Sequence, residues 1–135
     1  MSYLGSCYCG QVTVKISGSI DSIIHCHCSK CRKASGTAYA TNGVVKLDDF
    51  EITSGAEHIG KFGKVVGKYR YFCKLCASPI YSSNIDDAAH IRIRLGILDG
   101  EVDERPMAHT FVGSKANWED LDVGLPRYER YEPGR

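Results

Sequence analysis

Cys26-His27-Cys28-Ser29-Lys30-Cys31-Arg32-Lys33 gathers three cysteines within six residues. Three thiols this close together can close on one metal ion and leave a coordination position open, and an open position is where chemistry can happen. Cys26 and Cys28 are two apart, so on an extended strand their side chains leave by the same face, and a turn after Cys28 brings Cys31 back to them. His27 then points to the opposite face, where a packed or solvent-facing imidazole is expected rather than a ligand. Lys30, Arg32 and Lys33 crowd the same turn with positive charge.

Upstream, Ser22-Ile23-Ile24-His25 is a short apolar run leading directly into Cys26, which places the three cysteines where a strand ends. Downstream, Arg32-Lys33-Ala34-Ser35 has length for about one helical turn, and Gly36 is positioned to stop it. Ala38 to Thr41 resumes extended structure. Gln11 to Ile16 alternates polar and apolar residues, as a half-buried strand does. Phe50 to Thr53, Glu57 to Phe62, Lys68 to Phe72 and Pro79 to Ser83 read as short strands, with Gly55, Gly60, Gly63 and Gly67 at the bends. Ile91 to Leu98 reads as a central strand with one apolar face and Ala108 to Val112 as the last strand. The tail carrying Trp118, Leu125, Pro126, Tyr128 and Tyr131 is expected to be a strap returning aromatic groups to the domain, with Trp118 a packed anchor. The expected class is therefore mainly β, in consecutive antiparallel hairpins with little helix.

The chain has 135 residues, which predicts one domain over 1–135. Seventeen Lys and Arg against sixteen Asp and Glu leave a formal net charge of +1, which provides no electrostatic reason to expect nucleic acid or an anionic membrane surface. Lys61, Lys64, Lys68, Arg70 and Lys74 form a second basic zone, expected to be a solvated face. Seven cysteines suit a complete disulfide framework poorly, and the first residues lack the features of a secretory signal, so reduced thiols are expected. No apolar run approaches the roughly twenty residues that span a bilayer, and a cytoplasmic location follows as the expectation.

The remaining cysteines come as two pairs. Gly5-Ser6-Cys7-Tyr8-Cys9-Gly10 is a Cys-x-Cys flanked by glycines, and Cys73-Lys74-Leu75-Cys76 is a Cys-x-x-Cys knuckle. Cys7, Cys9, Cys73 and Cys76 would make a closed four-thiolate structural zinc site, leaving Cys26, Cys28 and Cys31 for a second zinc with one place free. A second partition joins Cys28 and Cys31 to Cys73 and Cys76 as a zinc ribbon and leaves Cys7, Cys9 and Cys26 over. Spacing does not choose between them.

In their order along the chain, these motifs resemble the glutathione-dependent formaldehyde-activating enzymes, whose fold also appears in centromere protein V. The resemblance runs from Gly5-Ser6-Cys7-x-Cys9-Gly10 through Cys26-His27-Cys28-x-x-Cys31-Arg32-Lys33 and Gly36 to Phe72-Cys73-x-x-Cys76, His109 and Ser114-Lys115-Ala116-x-Trp118. It implies antiparallel sheets of the β-tent type stapled by zinc, with the four-cysteine site structural and the three-cysteine site catalytic. Ala77 stands where the family commonly has glycine, and Asn117 where it has proline; Ala77 would strain the turn if the position needs φ above zero.

A three-thiolate zinc has no redox chemistry and acidifies water weakly, so holding an incoming thiol as thiolate is the chemistry expected of it. The resemblance names that thiol as glutathione and its partner as formaldehyde, which makes the reaction a reversible addition of the carbon–sulfur lyase class. Lys30, Arg32 and Lys33 have the charge to meet glutathione carboxylates. His109 and Asp99 are the residues to inspect for proton handling, although a structural hydrogen bond is the expected role of each. The alternative is a zinc-stapled module that binds a protein or nucleic acid without catalysis.

Overall fold

The computed structural model describes residues 2–121, 124–126, 128–131 and 133–134. In chain order the strands of the first half are β1 (Ser2–Ser6), β2 (Thr13–Ser17), β3 (Asp21–Cys26), β4 (Ala40–Lys46) and β5 (Phe50–Ser54). Those of the second half are β6 (Ile59–Val65), β7 (Lys68–Cys73), β8 (Pro79–Asn84), β9 (His90–Arg94), β10 (Leu98–Asp99) and β11 (Ala108–Thr110). One α-helix, α1 (Ser29–Ser35), follows β3. A four-stranded sheet runs β10-β1-β2-β5, and a seven-stranded sheet runs β11-β3-β4-β9-β8-β7-β6. The expected mainly β class with little helix is the one found.

Alternation on the strands explains how the sheets meet. Tyr3 and Ile16 from the smaller sheet share a buried core with Ile23, Val45, Ile91 and Ile93 from the larger one. Ile16 and Ile93 are fully buried, and each side chain of this kind contributes roughly 1.5–3 kcal/mol relative to leaving it in water. A second core cluster of Cys7, Val12, Val14, Cys73 and Ile80 connects this interior to the cysteine pairs. The outward residues of β9, Arg92 and Arg94, face away from that core, which leaves the outer side of the larger sheet polar.

Several expected boundaries shift for local reasons. The strand expected from Gln11 begins at Thr13, and the run from Ile91 to Leu98 breaks after Arg94 into a 3₁₀ turn over Leu95–Ile97. The last strand stops at Thr110 because Phe111 adopts φ 55, outside the extended region. β1 has no counterpart among the expected strands. The expectation of consecutive hairpins holds for β6 to β9, but β11 pairs parallel to β3, with His109 opposite His25 and Thr110 opposite Cys26. Gly36 does stop α1: it takes φ 69 and donates its N–H to the Arg32 carbonyl at 2.8 Å.

The tail departs from expectation. Trp118 is 65% exposed, and Leu125, Tyr128 and Tyr131 are exposed as well. Among the described residues of that segment Ala116 is buried.

Candidate functional site

The turn between β1 and β2 carries Cys7 and Cys9, while Cys73 ends β7 and Cys76 lies in the turn that leads to β8. Their four Sγ atoms lie within 4.8 Å of one another. Cys7 Sγ is 3.6 Å from Cys9 Sγ, which is 3.8 Å from Cys73 Sγ. The Val12 N–H donates to Cys7 Sγ at 3.3 Å, and the Tyr8 N–H donates to Ser78 Oγ, 3.3 Å from Cys76 Sγ. Each thiol feels the others. The Ser78 hydroxyl, with the Cys9 backbone, pulls Cys76 down to about 5. The Gln11 N–H pulls Cys9 down, but burial and the three neighbouring sulfurs outweigh it and push this thiol up to about 12. The knuckle turn requires a left-handed residue, and Ala77 occupies it at φ 65, its N–H donating to the Cys73 carbonyl at 2.7 Å.

The second group is local in sequence. Cys26 ends β3, Cys28 caps α1 from an extended backbone, and Cys31 lies in the first turn of that helix. Their Sγ atoms also lie within 4.8 Å of one another, and among the described residues no further His, Cys, Asp or Glu joins them. Cys28 Sγ accepts the Cys31 N–H at 3.3 Å. Burial opposes ionisation of Cys28, yet this N–H and the neighbouring thiols lower its pKa, whereas burial followed by Cys26 and Cys28 pushes Cys31 up to about 12. The structure thus forms the four-plus-three grouping and separates the sulfurs that a ribbon would have joined.

Around the three thiols the outer face of the larger sheet is cationic. Residues opposed in register share a face, which puts Phe62, Arg70 and Ser82 on the side of Arg92, and Arg94 beside Asn42. Arg70 Nη2 approaches Cys31 Sγ at 4.0 Å. Arg94 donates from Nη1 to Ser82 Oγ and to the Arg92 carbonyl, both at 3.4 Å. Burial, then Arg70, lower the Arg94 pKa to about 10 against the opposing pull of Cys31 and Cys26. A cavity of about 190 Å³ opens here between Ala34 of α1 and the sheet, lined by Phe62, Arg70, Tyr71, Phe72 and Arg94 among others.

The basic residues singled out in sequence lie on α1. Lys30 and Lys33 are exposed, and Arg32 is half-buried with its Nε lacking a hydrogen-bond partner. Arg70 corrects the reading of its basic zone as a solvated face: it is half-buried because β7 lies inside the sheet between β6 and β8. Arg94 had no signal beyond strand alternation. His27 is fully buried and turns from the thiols to His109, Nε2 to Nδ1 at 2.8 Å, within a cluster completed by His25 and Tyr39. Asp99 belongs to the smaller sheet, where it accepts a hydrogen bond from Ser6 Oγ at 2.8 Å.

Residues 2–114 match the family model described as glutathione-dependent formaldehyde-activating enzyme. A relative from Aspergillus flavus, named provisionally as such an enzyme, is 31% identical over 81 residues, covering 57% of this chain and 42% of the relative. One from Emericella nidulans, named likewise, is 32% identical over 78 residues, covering 56% of this chain and 39% of the relative. The chain therefore spans less than half the length of these relatives. A crystal structure of a Rhodobacter sphaeroides protein superposes with a TM-score of 0.66 at 20% identity, over 79% of this chain and 99% of that one, which is a likeness of fold.

Proposed function

The chain belongs to the glutathione-dependent formaldehyde-activating enzyme family, and from that premise we propose that it is a zinc-dependent carbon–sulfur lyase that adds glutathione, or a thiol like it, to formaldehyde or a related small aldehyde. The observation that carries the reading is the inequality of the two thiol groups, one with four sulfurs and one stopping at three among the described residues. Both donor sets suit zinc, since each gathers cysteine sulfurs within 4.8 Å of one another and thiolates are the ligands zinc favours in closed and three-ligand sites. Cys7, Cys9, Cys73 and Cys76 would hold a structural ion, and Cys26, Cys28 and Cys31 the ion of the active site. Bound there, zinc supplies a position at which an incoming thiol is held as thiolate near neutral pH.

The chain's own residues supply the rest. The three cysteines are presented by a strand end and a capped helix turn, and Arg70 of the larger sheet reaches to 4.0 Å of Cys31 Sγ. Lys30, Arg32 and Lys33 place positive charge on α1 beside it, which favours the approach of an anionic thiol. In the addition a sulfur–carbon bond forms and the carbonyl π pair moves to oxygen. That oxygen takes up a proton, balancing the one the thiol gave up, so no oxidant or reductant is consumed. With glutathione and formaldehyde the product is S-hydroxymethylglutathione, and the reverse step breaks the same bond. Reduced thiols of this kind suit the cytoplasm. Among the described residues no helix is long and apolar enough to cross a membrane.

Exchange spectroscopy on labelled formaldehyde and glutathione measures the interconversion directly. The zinc-loaded protein is expected to accelerate exchange above the spontaneous rate, and Cys31→Ser to abolish the acceleration. If saturating protein leaves the exchange rate unchanged, the reaction is wrong and both thiol groups serve as staples of a binding module.

A further inference from the structure

We propose that Arg70 and Arg94, with the cavity they line, form a carboxylate seat that selects acidic thiols for the three-cysteine site. The inference rests on the thiol-addition reading and extends it to substrate selection. Two guanidinium groups converge on the outer face of the larger sheet from β7 and β9, strands separated by β8. Arg70 reaches to 4.0 Å of Cys31 Sγ, so an anion held here lies next to the site of the reacting sulfur. Among the described residues neither guanidinium is paired with a carboxylate; the ion pairs of the sheet are made by Arg92 with Asp87 and by His90 with Asp87.

Two neighbouring cations of this kind, half-buried and with no carboxylate beside them among the described residues, cost free energy through desolvation and mutual repulsion, which the nearby sulfurs of Cys31 and Cys26 offset only in part. A carboxylate relieves both, and the guanidinium fork matches its two oxygens. Asn42, opposite Arg94 in register, has a buried Oδ1 without a hydrogen-bond partner, an acceptor beside the seat for a substrate N–H. Phe62 and Phe72 add apolar surface to the lining, which lowers the local polarity and strengthens the pairing.

Size and charge also choose the arm. At about 190 Å³ the cavity is smaller than the roughly 300–1,000 Å³ of sites that enclose a drug-sized ligand, so it takes one arm of the thiol rather than the whole molecule. Paired guanidinium groups repel an ammonium, which favours an arm ending in a bare carboxylate over one that also carries an amine. In glutathione the glycyl end satisfies this.

The test compares 3-mercaptopropionate with 2-mercaptoethanol, which differ in the carboxylate, by following thiol entry into the cobalt-substituted three-cysteine site. The wild-type protein is expected to bind the acid about tenfold or more tightly than the alcohol, and Arg94→Gln and Arg70→Gln each to bring the ratio near one, with Arg94→Lys intermediate. A ratio near one in the wild type, or one that both glutamine variants preserve, overturns the seat. Calorimetric titration with S-methylglutathione, which has no thiol to ionise, separates the two levels. If no thiol enters the metal sphere but this analogue binds and loses affinity about tenfold in the variants, the reaction fails and the seat stands; if its affinity is indifferent to both arginines, the seat fails whatever the metal does. Melting curves of the variants identify any that do not fold, and Arg94→Lys retains the charge where glutamine destabilises.

Discussion

His27 Nε2 lies 2.8 Å from His109 Nδ1, so the residue between two of the site cysteines is tied to the last strand of the sheet. His27 is fully buried and its Nδ1 has no hydrogen-bond partner, which makes His109 the side-chain hydrogen-bond partner of this imidazole among the described residues. The Thr110 carbonyl accepts the His27 N–H at 2.9 Å, so β11 secures both the ring and the backbone of the segment that presents the thiols.

His109→Ala is therefore expected to destabilise by about 1–3 kcal/mol, the cost of leaving a buried polar group without its partner. Trp118→Ala is expected to stay within about 0.5 kcal/mol, as exposed positions do. Denaturant unfolding of the zinc-loaded variants ranks the two. An equal loss would mean that the indole anchors the C-terminal part of the chain as much as the histidine does.

The two thiol groups should differ in what their loss does to the fold. Cys73→Ser disrupts a group that joins the β1–β2 turn to the β7–β8 turn, and structural zinc contributes about 10–16 kcal/mol of apparent binding free energy in small zinc-finger peptides. Cys28→Ser removes a ligand from the local group, while the serine oxygen can still cap α1 by accepting the Cys31 N–H. Thermal melts with zinc content measured in parallel should show a large drop for Cys73→Ser and a small one for Cys28→Ser. Equal drops would contradict the division into a structural and a reactive site.

Ala77 holds a left-handed backbone at φ 65, which an L side chain resists by about 1–2 kcal/mol. Glycine accepts that conformation but loses more entropy on folding, by about 0.4–1 kcal/mol relative to alanine. Ala77→Gly is expected to raise stability by about 0.5 kcal/mol, read as a higher denaturant midpoint at unchanged slope. A lower midpoint would show that the turn carries no strain.

Glu104 receives hydrogen bonds from the Tyr3 hydroxyl at 2.5 Å and the Ile20 N–H at 3.1 Å. Burial raises its pKa, but these two donors outweigh burial and hold it below the ordinary carboxylate value. The unfolded chain then binds more protons than the native one between the two values. The stabilisation is complete above the unfolded pKa of about 4.3 and is lost as pH falls through the lower folded value. Stability measured from pH 6 down to pH 3 should fall less steeply in Glu104→Gln than in the wild type; parallel curves would remove this carboxylate from the acid response.

The local cysteine groups were legible because Cys-x-Cys, Cys-x-x-Cys and the run from Cys26 to Cys31 each bring their sulfurs together within one turn or strand end, a geometry that neighbouring residues impose on themselves. Strand alternation from Thr13 to Ile16 and the stop at Gly36 are local in the same sense. Which pairs share a site was decided at long range: Cys9 and Cys73 meet across 64 positions because the two sheets bury Cys7, Val12 and Cys73 in one core. The convergence of Arg70 and Arg94, the parallel docking of β11 on β3 and the exposure of Trp118 depend likewise on strand order. A period of two says which side of a sheet a residue takes and nothing about which strand lies beside it; that choice belongs to the packing of the whole chain.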